Sequence, residues 1–295
     1  PALVTSGPNT AAPDDAGVLG ESGTSVLFGG SKLNGGESNA WIVRSGLWSS
    51  PAQLFAIETE FFKIDDQNDG YSAASDGSVI LARPYFDVAN GEEASELIAY
   101  PGISNGEVKV ATGSELRSFL LNGRFAICPA HGPGCPDCGL RDRTDVIVGY
   151  RYIQLKDGIA IGETHRFGSQ SPIQTVSVVD GFKTENEFNG IQVGMVNRTL
   201  LRKSWLESSF RIAFGNMDQT LQVSGGTRQS GTDGTVDYAG GLLAQRSNSG
   251  THKREEFVMV PELGLKWGVK LTSCFHATIG YSVVYLPNVL RASEQ

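Results

Sequence analysis

Phe275-His-Ala-Thr-Ile-Gly-Tyr-Ser-Val-Val-Tyr285 alternates, residue by residue, between two kinds of side chain. The odd positions, Phe275, Ala277, Ile279, Tyr281, Val283 and Tyr285, are apolar with aromatics towards both ends. The even positions, Cys274, His276, Thr278, Gly280, Ser282 and Val284, are small or polar. A period of two is the signature of a strand with two unlike faces. The preceding segment repeats it: Phe257, Met259, Leu263, Leu265, Trp267 and Val269 lie on one side, with Glu256, Val258, Val260, Glu262, Gly264, Lys266, Gly268 and Lys270 on the other. Pro261 interrupts this segment and predicts a bulge or a missing ladder donor.

The same alternation extends outward from these two segments. It predicts strands near 24–33, 39–49, 53–64, 115–128, 143–156, 158–167, 186–201, 204–223, 254–270 and 273–286, with shorter ones at 78–88 and 236–244. Leu155-Lys-Asp-Gly-Ile159 reads as a tight Asp-Gly hairpin between two of them. No segment carries a sustained 3.6-residue stripe. Of 295 residues, 37 are Gly, against about 7% in ordinary usage, and each would cost a helix interior about 1 kcal/mol. The apolar share of 40% argues against disorder, and a net charge of −8 argues against a general nucleic-acid binder.

Two all-β architectures fit, a soluble sandwich and a membrane barrel. A sandwich would present long Lys, Glu and Thr side chains on its polar face. Here that face is rich in Gly, Ser and Asn with isolated charges of both signs, as where side chains converge on a lumen. Aromatics at strand ends match the girdles of a barrel in a bilayer, whose strands need only about 9–11 residues to cross. The reading favours an antiparallel transmembrane β-barrel of about 12 strands in the intact protein, with long loops. Val148, Ile212, Leu265 and Ile279 then point to lipid, and Arg151, Arg211, Glu262 and Gly280 point inward. Residues 1–20, rich in Pro, Gly, Ser and Asp, read as a loop or arm, and 21–295 as the barrel domain. The chain opens without an initiator Met and stops directly after a strand, which reads as two cuts in a longer polypeptide.

Several short elements occur in a fixed order: Gly17-Val-Leu-Gly20, Val26-Leu-Phe-Gly-Gly30, Val148-Gly-Tyr-Arg-Tyr152 and Glu187-Phe-Asn-Gly-Ile-Gln192 with Gly194. They are followed by Gly240-Gly-Leu-Leu-Ala-Gln245, Pro261-Glu262, Gly280-Tyr-Ser-Val-Val-Tyr285 and Asn288-Val-Leu-Arg-Ala-Ser-Glu-Gln295. Together they resemble the outer-membrane β-barrel porins of planctomycete-type bacteria, over residues 17–295. The resemblance implies a bacterial outer-membrane barrel that passes small hydrophilic solutes or ions, without catalysis or cofactor. A Trp-rich strand before the start and a short continuation after Glu294-Gln295 are family features missing here. The cysteine-bearing insert at 128–138 departs from the family pattern.

Twelve inward charges are the candidate pore-lining residues: Arg44, Glu58, Glu60, Arg124, Asp145, Arg151, Glu207, Arg211, Glu256, Glu262, Lys266 and Lys270. They either plug a narrow barrel as salt bridges or line a water-filled pore, where rings of charge bias ion passage. The alternative function is a non-conducting structural or surface-interaction barrel, with the 65–114 and 224–253 segments carrying the contacts. Expected partners are outer-membrane lipids and small hydrophilic solutes, with a homo-oligomer or envelope proteins as further candidates and no nucleic acid.

Cys128-Pro-Ala-His131-Gly-Pro-Gly-Cys135-Pro-Asp-Cys138 has spacing workable for zinc. An oxidising envelope favours a disulfide instead, from Cys128 to Cys135 or Cys138, since the Cys135–Cys138 ring is tight. Asp65-Asp-Gln-Asn-Asp-Gly70 is acidic enough for calcium but lacks the distal Glu and flanking helices of an EF-hand, so it reads as a hairpin turn. The four histidines, His131, His165, His252 and His276, sit in no catalytic motif. His276 and Ser282 share a face but lie about 20 Å apart along a strand, too far for a dyad.

Overall fold

The computed structural model describes residues 1–30, 37–128, 142–168, 174–201, 204–232, 234–272 and 275–294. These residues form thirteen strands and one short 3-10 turn. In chain order the strands are β1 (Ala2–Ser6), β2 (Ser25–Gly29), β3 (Ala40–Trp48), β4 (Phe55–Ser75), β5 (Leu81–Asp87), β6 (Glu92–Ala99) and β7 (Ser104–Cys128). Then follow β8 (Asp142–Phe167), β9 (Gln174–Leu200), β10 (Ser204–Gly231), β11 (Gly234–Ala239), β12 (Gly250–Lys270) and β13 (His276–Val284).

A large antiparallel sheet runs β13-β12-β10-β9-β8-β7-β4-β3, with β11 paired to the far end of β10. A small sheet has the order β2-β1-β5-β6. The large sheet curls into a half-barrel. Arg151 on β8 meets Glu262 on β12 at 2.6 Å, although three strand spacings of about 4.8 Å separate those strands along a flat sheet.

Six strands of the wall are longer than the sequence suggests, and two expected turns are absent. Asp157-Gly158 lies inside β8, where Asp157 pairs with Ser114 on one side and Thr184 on the other. Asp65-Asp66 is a bulge in β4 between the Ile64 and Gln67 pairs, and the strand continues to Ser75. Neither segment is a hairpin, because each is held by ladders on the neighbouring strands. Ala2–Ser6, read as part of an arm, form β1 at the centre of the small sheet, with Leu3 and Val4 buried.

Pro261 causes no register shift. It sits opposite Ile212, and its carbonyl accepts from Tyr285 N just beyond the β13 ladder. Its missing donor therefore faces β13 where that ladder ends, the kind of edge position at which Pro is tolerated.

The half of the wall nearest Cys128, Asp142 and Lys270 is called the lower half. There the convex face is apolar and exposed: Phe125, Val148, Ile191, Phe214, Leu265 (54% exposed) and Ile279 (70%). A collar ends this band. Phe61, Phe119, Tyr152, Asn189, Asn216 and Phe257 stand opposite one another across six strands, and one step higher the row is Lys63, Arg117, Gln154, Glu187, Asp218 and Glu255. Tyr152 donates to Glu187 at 2.8 Å, bridging the two rows.

In the upper half the concave face is the one that carries the aliphatic side chains, beside a few buried polar ones. Val108, Val110, Ile159, Ile161, Phe182 and Val223 pack against Leu3, Val4, Leu81, Ile98 and Ala99 of the small sheet, closing a core. Between β6 and β7 the chain reverses through Pro101-Gly102, where Gly102 takes a φ of 73° that a tight turn asks of glycine.

Candidate functional site: the charged concave face

In the lower half every second residue of each strand faces the concavity, and that is where the charged residues of these strands fall. Arg44 Nε on β3 bonds Glu60 Oε2 on β4 at 2.7 Å. Arg124 on β7 joins Glu58 at 2.9 Å and Asp145 at 2.6 Å, and Arg143 reaches the same Asp145 at 2.9 Å. Glu262 is shared by Arg151 at 2.6 Å and Arg211 at 3.1 Å. Glu207 is shared by Lys266 at 3.0 Å and Arg198 at 2.5 Å. Glu256 lies 3.3 Å from Arg254. Lys270 is exposed opposite His276 at the lower rim.

The structure thus brings eleven of the twelve sequence-predicted residues into ion pairs and leaves Lys270 at the rim. Pairing is what makes this burial affordable: Asp145 is fully buried and Arg151 is 3% exposed, and an isolated buried charge would cost several kcal/mol. Arg124 and Arg143 also stack over Trp48, at 5.7 and 4.4 Å from its ring centre, adding cation–π attraction. Arg143, Arg198 and Arg254 went unnoticed in the sequence although their parity matches that of their partners.

The charged face encloses a cavity of about 270 Å³, touched by seven strands: β3, β4, β7, β8, β10, β12 and β13. Arg44, Arg151, Glu207, Glu262 and Lys266 line it alongside Ser118, Ser209, Thr278 and Ser282. Arg151 Nε and Ser118 Oγ, both shielded from solvent, have no hydrogen-bond partner among the described residues.

Above the cavity lies an apolar layer of Ile153, Phe188, Ala213, Met217, Val258 and Val260, with Leu286 and Val289 packed onto it. Higher still is a second charged cluster that sequence reasoning missed. Arg83 on β5, 1% exposed, reaches Glu163 on β8 at 3.1 Å and Asp180 on β9 at 2.7 Å. His165 Nε2 lies 3.5 Å from Glu163, and its Nδ1 is 2.9 Å from the Leu97 carbonyl of β6. Burial alone would lower the His165 pKa, but the adjacent Glu163 carboxylate outweighs it and holds it above the ordinary histidine range.

Asp180 also accepts from Leu243 N at 3.1 Å and Ala244 N at 2.7 Å. This gives the Gly240-Gly-Leu-Leu-Ala element its physical reason. A Cβ on Gly241 would overlap Asp180 Oδ1, and one on Gly225 would overlap the Ala244 carbonyl. Arg83 and Asp180 are 97 positions apart, so spacing offered no signal for this cluster.

The cysteine predictions fall outside the described residues: Cys135, Cys138 and Cys274 are not among them, and Cys128 is described only as the end of β7. His276 packs edge-on against Trp205, with ring centres 5.4 Å apart.

A curled antiparallel wall with an apolar convex band and a charged concave face defines the barrel-type class of β protein. Within that class the chain belongs to the family described as putative beta barrel porin-7, whose family model matches residues 1–295. No curated protein matches the chain.

Proposed function

We propose that this protein is an outer-membrane porin of a bacterial envelope, giving small hydrophilic solutes or ions passage through a charge-lined lumen. The observation that carries the proposal is the cavity touched by seven strands, with six charged side chains in its lining, at the level where the outer face is apolar. A wall of that polarity is stable in a bilayer because strand ladders satisfy the backbone and lipid solvates the apolar band. Charged and hydroxyl side chains of the cavity lining, such as Arg44, Lys266 and Ser282, suit hydrated ions and hydroxylated or charged solutes. The family assignment points to a non-enzymatic protein, and the inner face supplies electrostatics rather than catalysis. Reconstitution into planar bilayers tests the proposal: stepwise conductance is expected.

A second reading is a non-conducting structural barrel. It is favoured by the apolar layer above the cavity, which places Phe188 and Met217 with Leu286 and Val289 on the route through the wall. Absence of conductance from a correctly folded, membrane-inserted protein would select it.

A further inference from the structure

Beyond β13 the chain does not leave the wall. Pro287 lacks a backbone donor, and Asn288 adopts a φ of 53°, a left-handed conformation that Asn tolerates better than most residues. This turn lays Leu286–Ala292 on the concave face. Leu286 and Val289 pack onto the apolar layer, and Ala292, 4% exposed, enters the upper core.

The segment has no strand partner there. Side chains of the wall hold its peptide groups instead. Gln219 Nε2 donates to the Asn288 carbonyl at 2.6 Å. Asn186 grips Leu290 twice, donating Nδ2 to its carbonyl at 2.9 Å and accepting its N–H at 2.7 Å. Arg291 Nε lies 2.9 Å from Asp157. Two carboxamides and one carboxylate thus do what a ladder does elsewhere, with far fewer bonds.

We infer that Leu286–Ala292 is a gate strap: docked, it completes an apolar constriction above the charged cavity, and its release opens the lumen. The inference rests on the porin reading above. Apolar constrictions block ions by expelling water, and Leu286 and Val289 are the part of this one that belongs to no strand. A segment held by a few side-chain bonds undocks at far lower cost than a strand of the wall.

The test uses two variants and two readouts. N186A/Q219A removes the partners of the strap backbone. L286S/V289S leaves those bonds and makes the constriction polar. Each is compared with the parent by planar-bilayer conductance. Docking is read separately as the maleimide labelling rate of Ala292→Cys, in a background with the four native cysteines changed to Ser.

For N186A/Q219A, labelling and open probability are both expected to rise about tenfold, equivalent to about 1.4 kcal/mol. For L286S/V289S, conductance should also rise, and labelling with it, because the serines give up apolar contacts that help dock the strap. Faster labelling with an unchanged, measurable conductance would overturn the gate and leave the porin standing. Faster labelling with no conductance in any variant would overturn the porin reading and the gate with it. Labelling unchanged by N186A/Q219A would show that Asn186 and Gln219 do not hold the strap.

Discussion

The two halves of β8 turn opposite kinds of side chain outward. In its lower half Val146, Val148, Tyr150 and Tyr152 face outward while Asp145 and Arg151 are buried; in its upper half Ile159 and Ile161 are buried while Lys156 and Arg166 are exposed. The period of two never breaks, and β9 and β10 invert at the same level. Alternation therefore fixes which residues share a face, and the medium on each side decides which face is apolar. Where the convex side is apolar, the concave side holds an ion-paired network. Where the convex side is polar, the concave side holds aliphatic side chains around the Arg83 cluster, closed by the small sheet.

If the halves are so different, buried charges in the two should not be equivalent. Arg83 is the cation recorded against both Glu163 and Asp180, whereas Asp145 in the lower half has both Arg124 and Arg143. Arg83→Met should destabilise the protein by about 3–5 kcal/mol, because it removes the guanidinium shared by two buried carboxylates and leaves Glu163 only His165 and Asp180 only backbone amides among the described residues. Arg124→Met should cost clearly less, since Arg143 remains on Asp145. Chemical denaturation in detergent or lipid measures both, and equal losses would erase the contrast.

The convex face gives the next largest effect. Leu265→Arg, in the middle of the apolar band, should cost about 2–4 kcal/mol in a bilayer. Ala160→Arg, on the same face but in the upper half, should stay within about 0.5 kcal/mol. A similar penalty at both positions would mean that the collar from Lys63 to Glu255 is no boundary.

The lower half was legible because both of its faces follow one rule over consecutive strands. The charges of β7, β8, β10 and β12 could be assigned to the inner face from parity alone. The upper half misled for a physical reason. In β8 the polarity of the alternation inverts between Tyr152 and Ile153, and an inversion followed a few residues later by an Asp-Gly pair looks like a hairpin. The Asp65-Asp66 bulge shifts the phase in the same way. The small sheet and the strap were not legible at all. Arg83 meets its partners across 80 to 97 positions, and Asn186 holds Leu290 across 104, contacts that no local pattern encodes.

A smaller effect separates the halves by pH. His165 has a raised pKa: burial opposes it, and Glu163, with the Leu97 carbonyl and Glu96, overcomes the opposition. Glu96 is also raised, chiefly by burial. Arg83 and Asp180 complete the charged groups around them. A histidine raised on folding contributes stability that is complete below its unfolded pKa of about 6.5 and is lost as pH rises through the folded value. Glu96 acts in the same direction, from about pH 4.3 upward. The contact of β6 with β8 should therefore loosen between pH 6 and higher values, seen as faster amide exchange at the upper end of β8, with the lower half unchanged. His165→Phe should remove the part of this dependence above about pH 6. A uniform change along β8 would show that the upper half does not open on its own.

The smallest expected effect concerns ions. The twelve predicted lumen residues comprise six bases and six acids, and eleven of them sit in ion pairs, so the lumen exerts little fixed selectivity. The net charge of −8 consequently lies outside this set, in exposed groups such as Asp87, Glu92 and Glu93 around the β5–β6 turn. The Asp87 carboxyl is held below its usual range by hydrogen bonds from Ala89 N and Asn90. Exposed charges of this kind attract cations only within a Debye length, about 8 Å at physiological salt. Reversal potentials under a salt gradient should show a mild cation preference at low mean salt that fades as salt rises. Glu92→Gln with Glu93→Gln should weaken it at low salt alone. A preference that persists at high salt would mean that some pair, such as Arg44 with Glu60, opens in the conducting state and leaves an unscreened charge inside. The lower half would then be a selectivity filter rather than a neutral conduit, and the contrast between the halves would lie in which of them governs passage.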